Sequence, residues 1–352
     1  MHVEEGEIRM RRCAAAAMLA LALVPAGASA AETTLYVAAY GGSFEQTMRR
    51  DIIPAFEKQH GVKIEYVAGN STDTLAKLQA QKANQQIDVA IVDDGPMYQA
   101  VALGFCRSLA EAPVYADVHP VMKFSSNKAV GLGLVGTGIV YARKVFEDNK
   151  WRAPGSWEEL KDRRFSGKLV IPPLNNSYGL HTLIMMARLR GGSERQIEPG
   201  FKAIKDEIGP NVLAYEPSPG KMTELFQSGQ AVIAVWGSGR AKALADTGFP
   251  AAFVYPKEGG PALGVAACPI AGGRNLAEAQ NFVQFLLSPA MQRVLAKGAG
   301  FGPANRTVEL SPEERVGVPY GEEVSKLIAV DWDVVNPLRE DWNKRWTREI
   351  ER

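Results

Sequence analysis

Residues 131–173 read GLGLVGTGIVYARKVFEDNKWRAPGSWEELKDRRFSGKLVIPP, and the alternation within this stretch decides the fold class. Gly131, Gly133, Gly136 and Gly138 interleave with Leu132, Leu134 and Val135, which gives an apolar strand of little bulk. Glycine inside a strand weakens it and marks a bend or a close backbone approach. Ser156 with Glu159 three residues on has the form of a capping box, so a helix is predicted from Trp157. Gly167 ends that region, Lys168–Ile171 resumes as a strand, and Pro172 and Pro173 stop it.

The same alternation continues on both sides of the stretch and predicts an α/β architecture. Upstream, Thr34–Ala39 is a first strand ended by Tyr40-Gly41-Gly42-Ser43, and Ser43 opens a helix with Met48, Ile52 and Phe56 on one face. His60-Gly61 closes that helix, Val62–Val67 is a second strand, Ser71 or Thr72 opens another helix, and Ile87–Val92 is a third strand. Downstream, Ala231–Val235 and Ala251–Tyr255 have the pattern of buried strands. Asn275 with Glu278 caps a helix, and Ser288-Pro289 opens one closed by Gly298.

A chain of 352 residues exceeds one ordinary core and predicts two lobes or domains. A formal net charge of +1 gives no electrostatic case for nucleic acid or an anionic membrane. Residues 1–31 form an export segment: Arg9, Arg11 and Arg12 precede the apolar run Ala14–Val24, and Ala28-Ser29-Ala30 supplies small residues for cleavage near Ala30 or Ala31. Export leaves Cys106 and Cys268, which are expected as two buried free thiols, with a bridge as the alternative.

Enzymatic motifs find little support. Ser125 and Lys128 satisfy the loose S-x-x-K pattern, but its K-T-G companion is missing. His60, His119 and His181 occur singly, without metal-ligand spacing, and are expected as surface or satisfied core residues. Asp93-Asp94 is expected as a solvated turn at a strand's end. What remains is a series of small-residue turns at strand ends, the place where open α/β sheets bind ligands. These turns are Tyr40–Phe44, Asp93–Pro96, Gly136–Thr137, Asn175–Tyr178, Ser218–Lys221 and Trp236–Arg240.

The central stretch, with its TG-x-x-Y, P-x-SW-x-x-L and GK-apolar motifs, resembles the extracellular solute-binding proteins of the spermidine/putrescine type. So do AFEKQHGVKIEY (55–66), LFQSGQAVIAVWGSG (225–239), YPKEGGP (255–261), NFVQFLLSP (281–289), GFGPAN (300–305) and DWNKRWTREI (341–350), in that order over nearly all the exported chain. The resemblance implies a two-lobed α/β periplasmic binding protein of type 2, with ligand held between lobes joined by crossing strands. By it, the first lobe takes 32–137 and 256–352 and the second 138–255. It also implies delivery of the ligand to the permease of an ABC importer, with no catalysis, no cofactor and no metal. The absence of an adjacent tyrosine pair near the return crossing counts against iron, which related ferric-binding proteins hold that way.

Departures from the family pattern point to the ligand. Positions where polyamine binders carry acids correspond here to Arg240, Leu263-Gly264-Val265 and Asn175-Asn176-Ser177. The pocket is therefore expected to be short of negative charge and to have gained a guanidinium, whose planar fork suits a carboxylate or phosphonate. The alternative for Arg240 is a solvent-facing residue at a helix start. The expected ligand-binding set is Tyr40, Gly42, Ser43, Asp94, Thr137, Asn176, Ser177, Tyr178, Ser218, Trp236, Ser238, Arg240 and Gly264. The expected protein is a monomeric periplasmic component that binds a small carboxylate-bearing solute such as a γ-amino acid. A polyamine binder is the alternative within that class, and a penicillin-recognising hydrolase built on Ser125 and Lys128 is the alternative outside it.

Overall fold

The structure is a computed structural model that describes residues 33–124 and 126–351. The export segment and Ser125 of the S-x-x-K pattern lie outside the described residues. In chain order the strands are β1 (Thr34–Tyr40), β2 (Lys63–Gly69), β3 (Val89–Asp93), β4 (Val130–Ala142), β5 (Leu169–Ile171), β6 (Val212–Tyr215), β7 (Ile233–Gly237), β8 (Ala251–Val254), β9 (Gly260–Pro269), β10 (Gly302–Pro303) and β11 (Leu327–Ile328). The helices are α1 (Ser43–Thr47), α2 (Ile53–His60), α3 (Ser71–Ala80), α4 (Asp94–Ala102), α5 (Arg143–Asp148), α6 (Ser177–Leu189), α7 (Glu198–Ala203), α8 (Pro219–Gln227), α9 (Ser238–Asp246), α10 (Leu276–Leu286), α11 (Pro289–Ala299) and α12 (Trp332–Glu349). A π-helical turn, Met48–Ile52, makes α1 and α2 one continuous rod.

The strands join in the order β2-β1-β3-β9-β4-β7-β5-β6, a mixed sheet with parallel β1–β2, β1–β3, β5–β6 and β5–β7 pairs. The glycine-rich strand β4 carries the two halves. Its start, Val130–Gly136, runs antiparallel to β9. Its end, Thr137–Ala142, runs antiparallel to β7 and β8. The glycines of β4 make room for crossing chain rather than for a ligand. A Cβ on Gly136 would lie 2.3 Å from the Tyr255 ring, and one on Gly138 would lie 2.4 Å from the Val254 carbonyl oxygen.

Each half buries its own core. One contains Phe44, Phe56, Ile91 and Phe282, and the other Trp157, Phe165, Ile184 and Phe201. The aromatic face of α12 packs into the second, although sequence assigned 256–352 to the first lobe. Trp342 and Trp346, four residues apart on one helix face, are both in that core, and Trp346 meets Tyr215 edge to face with ring centres 5.4 Å apart.

Several local expectations change. Cys106 and Cys268 form a disulfide, not free thiols. Cys106 pairs with Ile270 in an isolated antiparallel bridge, which brings its Cα to 5.6 Å from that of Cys268. Asp93-Asp94 is no solvated turn: Asp93 is 7% exposed. After Ser156 the chain makes a 3-10 turn, Trp157–Lys161, because Glu159 reaches back to the Gly155 N–H and Trp157 is drawn fully into the core. Gly300 at φ +69° ends α11, while Gly298 lies inside it against Thr47. Gly61 at φ +65° closes α2 as predicted.

Candidate ligand-binding site

Five helices begin at one cavity. Ser43 opens α1, Asn70 caps α3, Asn176 caps α6, Ser218 caps α8, and Gly239 and Arg240 lie in the first turn of α9; all of these residues line the cavity. The carboxyl ends of β1 and β3 add Tyr40 and Asp93, and β7 adds Trp236. Helix N-termini leave unpaired N–H groups and carry partial positive charge, so their convergence favours an anionic group. The cavity measures about 80 Å³, room for several water molecules. Phe44, Trp236, Leu263 and Phe301 give it apolar walls.

Charge of both signs meets in the cavity. Arg240 donates from Nη1 to the Gly41 carbonyl at 3.1 Å and to Ser43 Oγ at 3.0 Å. That approach needs Gly42, which sits at φ +71°. A Cβ there would lie 3.2 Å from Arg240 Nη1 and 3.3 Å from Pro219. At the acidic pole, the Asp93 carboxylate accepts from Tyr40 Oη at 2.6 Å and from the Ser177 hydroxyl. The Asp93 N–H donates to Ser71 Oγ at 3.0 Å. Tyr178 lies in the field of both poles: burial pushes its phenol up to about 12, against the pull of Arg240 and with the push of Asp93. Burial also holds the Tyr40 phenol well above its usual range, reinforced by the Asp93 charge. Both tyrosines are therefore neutral hydrogen-bonding groups at any ordinary pH.

Of the residues expected from sequence, Tyr40, Ser43, Asn176, Ser177, Tyr178, Ser218, Trp236 and Arg240 line this cavity, and Gly42 backs it against Arg240. Four do not line it. Asp94 and Gly264 pack against each other, a Cβ on Gly264 lying 3.2 Å from the Asp94 side chain, and both line a separate cavity of about 220 Å³ with Trp332. Thr137 is fully buried with its hydroxyl 2.7 Å from His181 Nδ1. Ser238 turns its hydroxyl to the Gly136 N–H at 3.3 Å. Of the Asp93-Asp94 pair, the expected set holds Asp94, but Asp93 is the member that lines this cavity. Asp93 ends β3 facing the cavity, whereas Asp94 begins α4 and turns to the other side. The expectation of a pocket short of negative charge fails with it, since Asp93 and Glu216 both line the cavity. Asn70, Ser71 and Glu216 were missed; the helix-opening signal at Ser71 was the one sequence cue to that rim.

Comparison with known proteins follows the geometry. A Haemophilus influenzae protein named "Uncharacterized protein" is 26% identical over 348 residues, covering 95% of both chains. A Salmonella typhimurium protein named "Putative 2-aminoethylphosphonate-binding periplasmic protein" is 26% identical over 183 residues, which is 51% of this chain and 50% of that one. The structure of the periplasmic binding protein AfuA from Actinobacillus pleuropneumoniae, with exogenous fructose-6-phosphate bound, superposes with a TM-score of 0.76 at 23% identity, covering 91% of this chain and 98% of that one. The fold is thus the two-lobed α/β fold of periplasmic solute-binding proteins. The family model described as "Bacterial extracellular solute-binding protein" matches residues 51–316, well over half of the sequence, and the chain belongs to that family.

Proposed function

We propose that the protein is the periplasmic substrate-binding component of an ABC importer and that its ligand is a small zwitterion with a carboxylate or phosphonate head. It acts as a monomer without catalysis, holding the solute between two lobes and delivering it to the permease. The first lobe comprises 32–137 and the chain from 256, the second 138–255, with the aromatic face of α12 added to the second core. The observation that carries the ligand reading is the presence of Arg240 and Asp93 in one cavity. The guanidinium, together with the helix starts around it, suits an anion. The Asp93 carboxylate accepts two hydroxyl hydrogen bonds and has lone pairs left for an ammonium. The aminoethylphosphonate in the name of one relative has both groups.

A polyamine is the second reading, favoured by Asp93 and Glu216 in a cavity walled by Tyr40 and Trp236. Calorimetric titration with 2-aminoethylphosphonate, γ-aminobutyrate and putrescine separates the two. The zwitterion reading expects the first or second to bind at least tenfold more tightly than putrescine. Tighter binding of putrescine overturns it.

A further inference from the structure

Strands β4 and β9 carry a cavity on each face. Leu263 of β9 and Val135 of β4 line the ligand cavity, while Ala262, Gly264 and Ala266 of β9 and Leu134 of β4 line the other, with Val265 bordering both. This is the alternation of a strand, whose successive side chains point to opposite faces. The second cavity is the larger, about 220 Å³ against about 80 Å³. Its chemistry is one carboxylate among aromatic rings. Asp94 opens α4, and Tyr98, four residues on, shares its helix face. Phe124 comes from the chain before β4 and Trp332 from the start of α12. The Tyr98 and Phe124 ring centres are 4.7 Å apart, and Tyr98 is 43% exposed, so the cavity opens to solvent at that end. Asp94 Oδ1 accepts from the Gly95 N–H at 3.0 Å, and a Cβ on Gly264 would lie 3.2 Å from Oδ2. No lysine, arginine or histidine is ion-paired with Asp94 among the described residues. Arg339 of α12 acts on it only through space, and Arg240 lies in the ligand cavity.

We propose that this second cavity binds a small methylated ammonium ion, with Asp94 opposing its charge and Tyr98, Phe124 and Trp332 covering its methyl groups. An enclosed carboxylate without a paired charge is costly, and an entering cation supplies the missing charge. Aromatic faces attract the same cation through their ring quadrupoles. The head is methylated because the walls offer few acceptors. A primary ammonium has three N–H groups to satisfy, whereas Asp94 and the Tyr98 hydroxyl are the acceptors among the lining side chains. A trimethylated head has no N–H and needs only opposite charge and apolar area. A metal ion is a poorer fit, since hard cations collect several oxygen ligands and Asp94 is the one carboxylate in the lining. The site lies across the strands from Asp93 and Arg240, so its ligand does not depend on what the ligand cavity holds.

Calorimetry on the exported chain tests this with three probes of one size class: choline, its primary-amine counterpart ethanolamine, and its neutral isostere 3,3-dimethyl-1-butanol. The titrations are run at pH 8, above the value of about 7 to which burial pushes the Asp94 carboxyl. Choline should bind the parent about tenfold or more tightly than either other probe. Asp94→Asn should remove most of that preference, and Tyr98→Ala should weaken choline several-fold. Asp93→Asn, in the ligand cavity, should leave choline within about twofold. A parent that binds choline no better than the neutral isostere overturns the proposal, and so does tighter binding of ethanolamine. Loss of choline in Asp93→Asn with retention in Asp94→Asn also overturns it, by placing the probe in the ligand cavity. Should Asp94→Asn fail to fold by circular dichroism, the exposed Tyr98 decides: parental choline affinity in Tyr98→Ala overturns the site.

Discussion

Arg240 Nη1 donates to Ser43 Oγ at 3.0 Å, across 197 residues of sequence. The bond ties the first turn of α9 to the first residue of α1, and the same nitrogen holds the Gly41 carbonyl. The guanidinium is therefore fixed by the protein before it meets a ligand, which lowers the ordering cost of a bidentate contact. Arg240→Ala should cost about 2–5 kcal/mol of affinity for an anion-headed ligand, because the ligand's charge stays enclosed without its partner. Calorimetry with 2-aminoethylphosphonate or γ-aminobutyrate, whichever binds the parent, checks it. Affinity within about twofold of the parent would return Arg240 to a purely structural tie.

Trp236 lines the cavity yet is only 3% exposed, and it packs in the core formed by Met222, Phe226 and Leu244. Most of its surface faces protein. Trp236→Ala should destabilise folding by about 3–5 kcal/mol. Trp236→Phe should cost less and change affinity only a few-fold, since an aromatic face remains for the ligand. Urea unfolding and calorimetry on Trp236→Phe separate these effects. A tenfold loss of affinity at parental stability would make the indole a direct ligand contact instead.

The legible parts of the chain were those in which local chemistry decides structure. Gly61 closes α2 where His60-Gly61 predicts a helix end, and the turn residues Ser43, Asn176 and Ser218 mark the cavity because helix starts and strand ends meet there. Contacts over long sequence separation were not legible. The side of the sheet to which Asp93 and Asp94 point depends on where β3 gives way to α4, and a one-residue difference there exchanges the two environments. Likewise, Arg339 contacts a carbonyl 164 residues away, and nothing in its own helix signals this. The disulfide was missed because composition reports that a bridge is permitted, while the Cα separation that allows it is a property of the fold.

That bridge, Cys106–Cys268, closes 162 residues of sequence separation and fastens the chain after α4 to the end of β9. Long loops lose the most unfolded-state freedom when closed. The double variant Cys106→Ala, Cys268→Ala should lose about 2–5 kcal/mol of unfolding free energy while keeping ligand affinity, because neither cysteine lines the cavity. Denaturant titration of the variant and of the reduced parent measures it. Equal stability with and without the bridge would show that the unfolded chain gains nothing from its release.

A proton balance between Asp94 and His181 gives the last prediction. Burial pushes the Asp94 carboxyl up to about 7, opposed by the Trp332 side chain and the Gly95 and Gly264 amides. Burial pulls the His181 imidazole down to about 3, helped by the Arg339 and Arg188 charges. The unfolded values are about 3.9 and 6.5. Folded Asp94 holds a proton that the unfolded chain has released, so its contribution is full below about pH 4 and is lost as pH rises through about 7. Folded His181 refuses a proton that the unfolded chain accepts, so its contribution is full above about pH 6.5 and is lost as pH falls toward about 3. Between about pH 4 and 6.5 the two slopes oppose each other, each up to about 1.4 kcal/mol per pH unit, with that of Asp94 reduced by its opening to the cavity beside Trp332. His181→Gln should therefore gain stability relative to the parent as pH falls through this window, and Asp94→Asn should lose it. Urea unfolding of all three proteins at pH 4.5, 5.5, 6.5 and 7.5 reads both differences directly. A difference from the parent that stays constant with pH would show that the residue concerned titrates alike in the folded and unfolded chains.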